Sequence, residues 1–117
     1  TNFSEVSSNL KDLIVFDVRN RNEVVENGQI PGSHCVPFAE FDTALSLDDS
    51  AFKEKYGFEK PPPGGPIVTH CMMGGRAMKA LKALEEKGFT NVKCYSGSFK
   101  DWMENNGEVV KPGKPTE

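Results

Sequence analysis

The chain has 117 residues, enough for one domain with a modest hydrophobic core. Its hydrophobic fraction of 37% and charged fraction of 26% are those of an ordinary soluble protein. The net charge of −3, with no basic tract, argues against nucleic acid or an anionic membrane surface as partner, and no apolar run approaches the ~20 residues of a membrane span.

Phe3–Val6 reads as a first short strand, with Ser7 or Ser8 capping a short helix to Leu10. Leu13-Ile14-Val15-Phe16 is the best strand in the chain and ends in Asp17-Val18-Arg19. Its apolar residues do not alternate, which points to burial on both faces, as in a parallel sheet covered by helices. Asn20 with Glu23 three residues on marks a helix start, and that helix stops near Gly28. Residues 28–33 are turn chemistry, followed by a short extended piece, His34-Cys35-Val36. Phe38–Leu45 and Asp48–Tyr56 are expected helices. The run 61–66, four prolines and two glycines, is neither helix nor central strand. Val92–Tyr95 is the last strand, and Ser98 or Phe99 opens a final helix through Trp102 that fades at Asn105-Asn106-Gly107. The core spans about residues 3 to 105 of a single domain covering 1–117. Residues 106–117 are expected to form a flexible tail, with Lys111–Pro115 mobile.

The chain is organised around Pro66–Gly88. Ile67, Val68 and Thr69 form a β-branched run that reads as a buried strand. From Ala77 the period changes: Ala77, Ala80, Leu81 and Leu84 recur at helical spacing, and Gly88 is placed to end the helix in a left-handed conformation. Between strand and helix lies Cys71-Met72-Met73-Gly74-Gly75-Arg76. A thiol at a helix N-terminus faces unpartnered amides and the positive end of the helix dipole, and both favour the thiolate. Gly74 and Gly75 let the loop curl with its amides inward, and Arg76 offers a forked cation to an oxyanion held there. A cysteine ending a buried strand is usually a small core hydrophobe, and Gly-Gly is often only a turn. Strand end, cysteine, two glycines, arginine and helix start occurring together shift the balance to a nucleophile in an anion cradle.

The three cysteines are an odd number without C-x-x-C, so neither a disulfide framework nor a zinc site is expected. A reducing intracellular compartment, cytoplasmic or mitochondrial, suits them. Cys35 and Cys94 are read as structural. Strands alternating with helices give an open, mostly parallel twisted α/β sheet with helices on both faces. Ligands of such sheets sit beyond the carboxyl ends of the strands, where Cys71 and Asp17-Val18-Arg19 both fall. Asp17 and Arg19 read as a buried ion pair or strand-end cap, with a supporting role at the site left open. His70 precedes the nucleophile and should point to the opposite face. A core or hydrogen-bonding role suits it better than acid–base work, and His34 is a weaker candidate. Trp102 and Phe99 read as core.

The loop Cys71-x-x-Gly74-x-Arg76 resembles the active-site loop of the rhodanese (sulfurtransferase) family. Asp17-Val18-Arg19, Glu23 and Gly28-Gln29-Ile30-Pro31-Gly32-Ser33 are similar to that family's first signature. Tyr95-Ser96-Gly97-Ser98-Phe99 with Trp102 is similar to its last. The overall pattern is closest to small single-domain thiosulfate sulfurtransferases. The resemblance implies that Cys71 takes a sulfane sulfur from thiosulfate or a similar persulfide donor, forming a persulfide. The residues Met72, Met73, Gly74, Gly75 and Arg76 would hold the sulfur and the donor. A thiol such as glutathione or thioredoxin, or cyanide, would then remove the sulfur. No metal or organic cofactor is needed, and a monomer is expected. Phosphatases and arsenate reductases related to this family place one more residue between Cys and Arg, implying that the shorter ring fits one sulfur atom rather than a tetrahedral phosphate. A cysteine phosphatase and a non-enzymatic interaction module remain the alternatives. Gln29, Cys35 and Ser98 stand where the family usually has His, Asn and a second Gly. Close single-domain relatives carry Lys at the position of Gly75. Met72 and Met73 make the rim apolar, which suits a bulkier or less charged donor.

Overall fold

The computed structural model describes residues 1–111. Four parallel strands lie in the order β2-β1-β3-β4: β1 is Ile14–Asp17, β2 His34–Cys35, β3 Ile67–His70 and β4 Val92–Cys94. β1 sits at the centre against β3, pairing Ile14 with Ile67 and Asp17 with His70, while β4 pairs Thr69 with Cys94 on the other side of β3. The continuous apolar run 13–16 is explained by this central place.

Helices cover both faces. Around the strands run α1 (Phe3–Ser8), α2 (Arg21–Asn27), a 3-10 turn at Phe38–Glu40, α3 (Phe41–Ser46), α4 (Asp49–Tyr56), α5 (Gly75–Glu86) and α6 (Ser98–Glu104). Strand alternation divides the core in two. Phe16, Ile67 and Cys94 pack with Phe41, Leu45, Phe52, Ala77, Ala80 and Leu84. Val68 and Tyr95 pack on the other face with Val6, Ile30, Phe99 and Trp102. Each fully buried large apolar side chain contributes about 1.5–3 kcal/mol relative to exposure.

The chain's beginning corrects the sequence expectation. Residues 3–8 are helix, not strand. The Asn2 side chain accepts the Glu5 amide at 2.9 Å and caps the first turn. Phe3 and Val6, one turn apart, face one way: the Phe3 ring lies 4.9 Å from that of Trp102, and Val6 is fully buried. Ser7 and Ser8 therefore close this helix rather than opening one. A second refinement concerns 38–45, where the expected single helix starts as a 3-10 turn after Pro37 before α3 begins at Phe41.

The remaining local signals behave as their chemistry dictates. Asn20 and Glu23 form a reciprocal capping box on α2, and Gly28 follows that helix at φ +81°. Gly88 follows α5 at φ +93°. Residues beyond Asn105, expected as the start of a loose tail, are tied down as far as Lys111. Trp102 Nε1 donates to the Glu108 carbonyl at 2.7 Å, Val110 bridges Gln29 antiparallel, and Lys111 Nζ donates to the Glu26 carbonyl. The expected mobile stretch from Pro112 to Pro115 lies outside the described residues.

Candidate active site

β3 ends at His70, and the loop of residues 71–74 turns directly into α5. Its carbonyls face α6: the Phe99 amide donates to the Cys71 carbonyl at 2.9 Å and the Lys100 amide to that of Met72 at 3.0 Å. With the carbonyls drawn that way, the amides turn inward around the sulfur. The Gly74 amide donates to Cys71 Sγ at 3.0 Å. Gly74 holds φ +107°, and a Cβ there would stand 2.3 Å from the Ser96 carbonyl oxygen, so only glycine fits. Gly75 has open space around it and needs no unusual backbone.

Cys71 is 2% exposed. Burial pushes its thiol up, but the amides of Ala77, Gly74 and Met73 and the Ser98 hydroxyl together outweigh that and hold it below the ordinary thiol value. The other two cysteines go the other way. Burial raises Cys35 to about 11, and burial also raises Cys94. Of the three thiols, Cys71 alone is shifted toward the thiolate.

Arg76 sits in the first turn of α5 with its guanidinium turned to α2, where Nη1 and Nη2 donate to the two Glu23 carboxylate oxygens at 2.8 and 3.2 Å. Its pKa is raised, first by the bond to Glu23 and in smaller part by the nearby Cys71 sulfur. Met73 is 70% exposed on the rim, while Met72 packs against the Phe99 and Trp102 cluster.

Asp17 and Arg19 lie on the opposite side of the sheet from the sulfur's cradle. Both are fully buried, with Arg19 Nη2 2.6 Å from Asp17 Oδ2, a further bond to the Gly28 carbonyl, and the guanidinium 4.1 Å above the Phe99 ring. His70 joins this cluster. Its Nδ1 lies 3.2 Å from the Cys71 carbonyl, an acceptor, so Nδ1 carries the proton. Burial lowers the His70 pKa more strongly than Asp17 raises it, so the ring is neutral and its 3.7 Å approach to Asp17 is a contact, not an ion pair. His34 stacks on Phe58 at 3.9 Å, away from the loop.

Two residues at the site escaped sequence reasoning. Ser98 Oγ accepts the Cys71 amide at 3.1 Å, and its one proton is shared between Sγ at 3.9 Å and the Tyr95 carbonyl at 2.8 Å. It holds φ +57°, a conformation natural to the glycine that the family pattern has there, and that departure was its signal. Glu23 was legible as a helix cap and as part of the first signature, but its bond to Arg76 was not. Two concavities, of 260 and 420 Å³, open among Leu13, Pro66, Ile67 and Asn91 and beneath Pro61–Pro63, at the amino ends of the strands. Chemistry rather than volume marks the functional edge. No group of three or more His, Cys, Asp or Glu suited to a metal occurs among the described residues.

A parallel α/β sheet with a cysteine held in a ring of amides at a strand's carboxyl end defines the class of protein by its fold and loop. The particular family follows from comparison: the Rhodanese-like domain model matches residues 3–105, and the chain belongs to that family. A Rhodanese domain-containing protein of Drosophila melanogaster is 41% identical over 99 residues, covering 85% of this chain and 89% of that protein. The thiosulfate:glutathione sulfurtransferase of Homo sapiens is 35% identical over 91 residues, covering 77% and 78%. The solved structure of a human single-domain sulfurtransferase superposes with a TM-score of 0.84 at 33% identity, covering 89% of this chain and 94% of that one.

Proposed function

We propose that the protein is a sulfurtransferase that carries a sulfane sulfur on Cys71. The thiolate attacks the outer sulfur of thiosulfate. The Sγ–S bond forms as the donor's S–S bond breaks, sulfite leaves with the electron pair of that bond, and Cys71 is left as a persulfide. An acceptor thiolate, of glutathione or a thioredoxin-type protein, then attacks the terminal sulfur and restores the Cys71 thiolate. Cyanide accepts the sulfur as thiocyanate in the same way. The amides of Met73, Gly74 and Ala77 favour the anionic forms at both stages because they are fixed by the fold before charge arrives.

The observation that carries this reading is the Cys71 sulfur held at 3.0 Å by the Gly74 amide inside a ring with four residues between Cys71 and Arg76. Relatives named as thiosulfate sulfurtransferases support the choice of thiosulfate as donor and glutathione as acceptor. A reducing compartment would keep the thiol available. Mass spectrometry after incubation with thiosulfate tests the proposal. One sulfur atom added at Cys71 with stoichiometric sulfite release, both absent in Cys71→Ser, is expected. Unmodified Cys71, or sulfur on Cys35 or Cys94, would overturn it.

A further inference from the structure

The cation that should greet an anionic donor is already occupied. Arg76 has both terminal nitrogens on the Glu23 carboxylate, and this pair is partly exposed, at 33% and 25%. Glu23 does not drift on a loop. It is the third residue of α2, where its Oε1 also accepts the Asn20 amide at 3.1 Å, so the capping box aims the carboxylate that takes the guanidinium. A bidentate guanidinium–carboxylate pair is satisfied in charge and in geometry. Beside it stands Cys71, whose sulfur the Gly74 amide already holds at 3.0 Å, so the edge offers an incoming anion no cation that is not already paired with Glu23. Gly75 contributes no side chain, and the exposed Met73 adds apolar surface rather than charge.

On the reading of the protein as a sulfurtransferase, we infer that Glu23 determines donor specificity. By holding Arg76, it disfavours dianionic thiosulfate and favours a donor with one negative charge, an organic persulfide whose carbon-bearing part lies on the methionine rim. With such a donor, Cys71 S⁻ and R–S–S⁻ give Cys71 S–S⁻ and R–S⁻. One S–S bond forms, one breaks, and the thiolate leaves with the electron pair. Thiosulfate reacts by the same exchange, but its second charge meets a guanidinium that must leave Glu23 or share with it. Glu23 touches no reacting atom; it is a positioning residue acting through Arg76.

The test compares thiosulfate with 2-hydroxyethyl persulfide, an organic persulfide with a single negative charge, using cyanide as common acceptor, in wild type, Glu23→Gln, Glu23→Asp and Arg76→Ala. Gln keeps an oxygen for the Asn20 amide, so α2 stays capped, and it removes the charge from Arg76. The ratio of kcat/KM for persulfide to that for thiosulfate should fall roughly three- to tenfold in Glu23→Gln, through a lower KM for thiosulfate with little change in kcat. Glu23→Asp, one methylene short of the two-point contact, should fall between wild type and Gln, and it carries the test if Gln melts early. In the Arg76→Ala background the Gln substitution should no longer move the ratio. A ratio unmoved by Gln and Asp, or shifted equally with and without Arg76, overturns the role of Glu23 while leaving sulfur transfer intact. A wild-type protein that takes sulfur from neither donor overturns the sulfurtransferase reading itself.

Discussion

Replacing Gly74 by alanine tests the cradle at its tightest point. The added Cβ would stand 2.3 Å from the Ser96 carbonyl oxygen, about 1 Å inside normal contact, at a φ of +107° that side chains resist. The Ser96 turn is braced by the Ser98 amide on the Tyr95 carbonyl at 3.0 Å and by α6 behind it, so the loop is the part that yields. Backbone strain of about 1–3 kcal/mol and overpacking of about 1–3 kcal/mol give a loss of roughly 2–6 kcal/mol. At roughly 3–6 °C per kcal/mol for a domain of this size, Tm should fall by about 6–36 °C. As the loop yields, the Gly74 amide leaves the sulfur. The Cys71 thiol should then titrate higher, and sulfur transfer should drop on the order of a hundredfold, as for one lost oxyanion donor. Gly75→Ala is the matched control: no atom lies within 4 Å of its Cβ, so its Tm should equal or exceed that of wild type. Thermal denaturation, with iodoacetamide alkylation of Cys71 followed across pH, reads both effects. A Gly74→Ala protein that melts within a degree or two of wild type with an unchanged alkylation profile would refute the reasoning.

Three further outcomes follow from the same geometry. Ser98→Gly relieves the positive φ but removes the acceptor of the Cys71 amide, so Tm should change little while the Cys71 alkylation inflection rises; Ser98→Ala, losing the acceptor and keeping the strain, should cost about 1–3 kcal/mol in denaturant unfolding. Gly75→Lys has room for its side chain and adds an exposed cation beside Arg76, so steady-state kinetics should show a lower KM for thiosulfate, with the gain shrinking at high ionic strength. His70, held neutral by burial, binds no proton in the native state where the unfolded imidazole does. Stability is therefore full above an unfolded value of about 6.5 and is lost as pH falls below it toward the lowered native value. Melting scans from pH 7.5 to 5 should show this slope, and it should flatten in His70→Gln; an equal slope in both proteins would remove His70 as its source.

Much was determined locally and so could be read from the chain alone. The unbroken apolar run before Asp17, the Asn20–Glu23 box, the glycine after α5 and the Cys71–Arg76 spacing are all short-range patterns, fixed by backbone sterics, capping and side-chain periodicity. They sufficed for a parallel α/β sheet and for an acidic thiol at a helix start. What required the tertiary structure was every pairing across distance in sequence. Glu23 meets Arg76 from fifty-three positions away, and Ser98 meets Cys71 from twenty-seven. Those partnerships exist because parallel strands deliver β1, β3 and β4 to one edge, and the turns leaving that edge converge there. A capping residue and a turn serine thus acquire roles that their neighbours in sequence do not reveal. The first helix makes the same point in reverse. Phe3–Val6 has the composition of a strand, but Asn2 supplied a cap and the Trp102 ring supplied a surface, and a face to bury against outweighs intrinsic β preference.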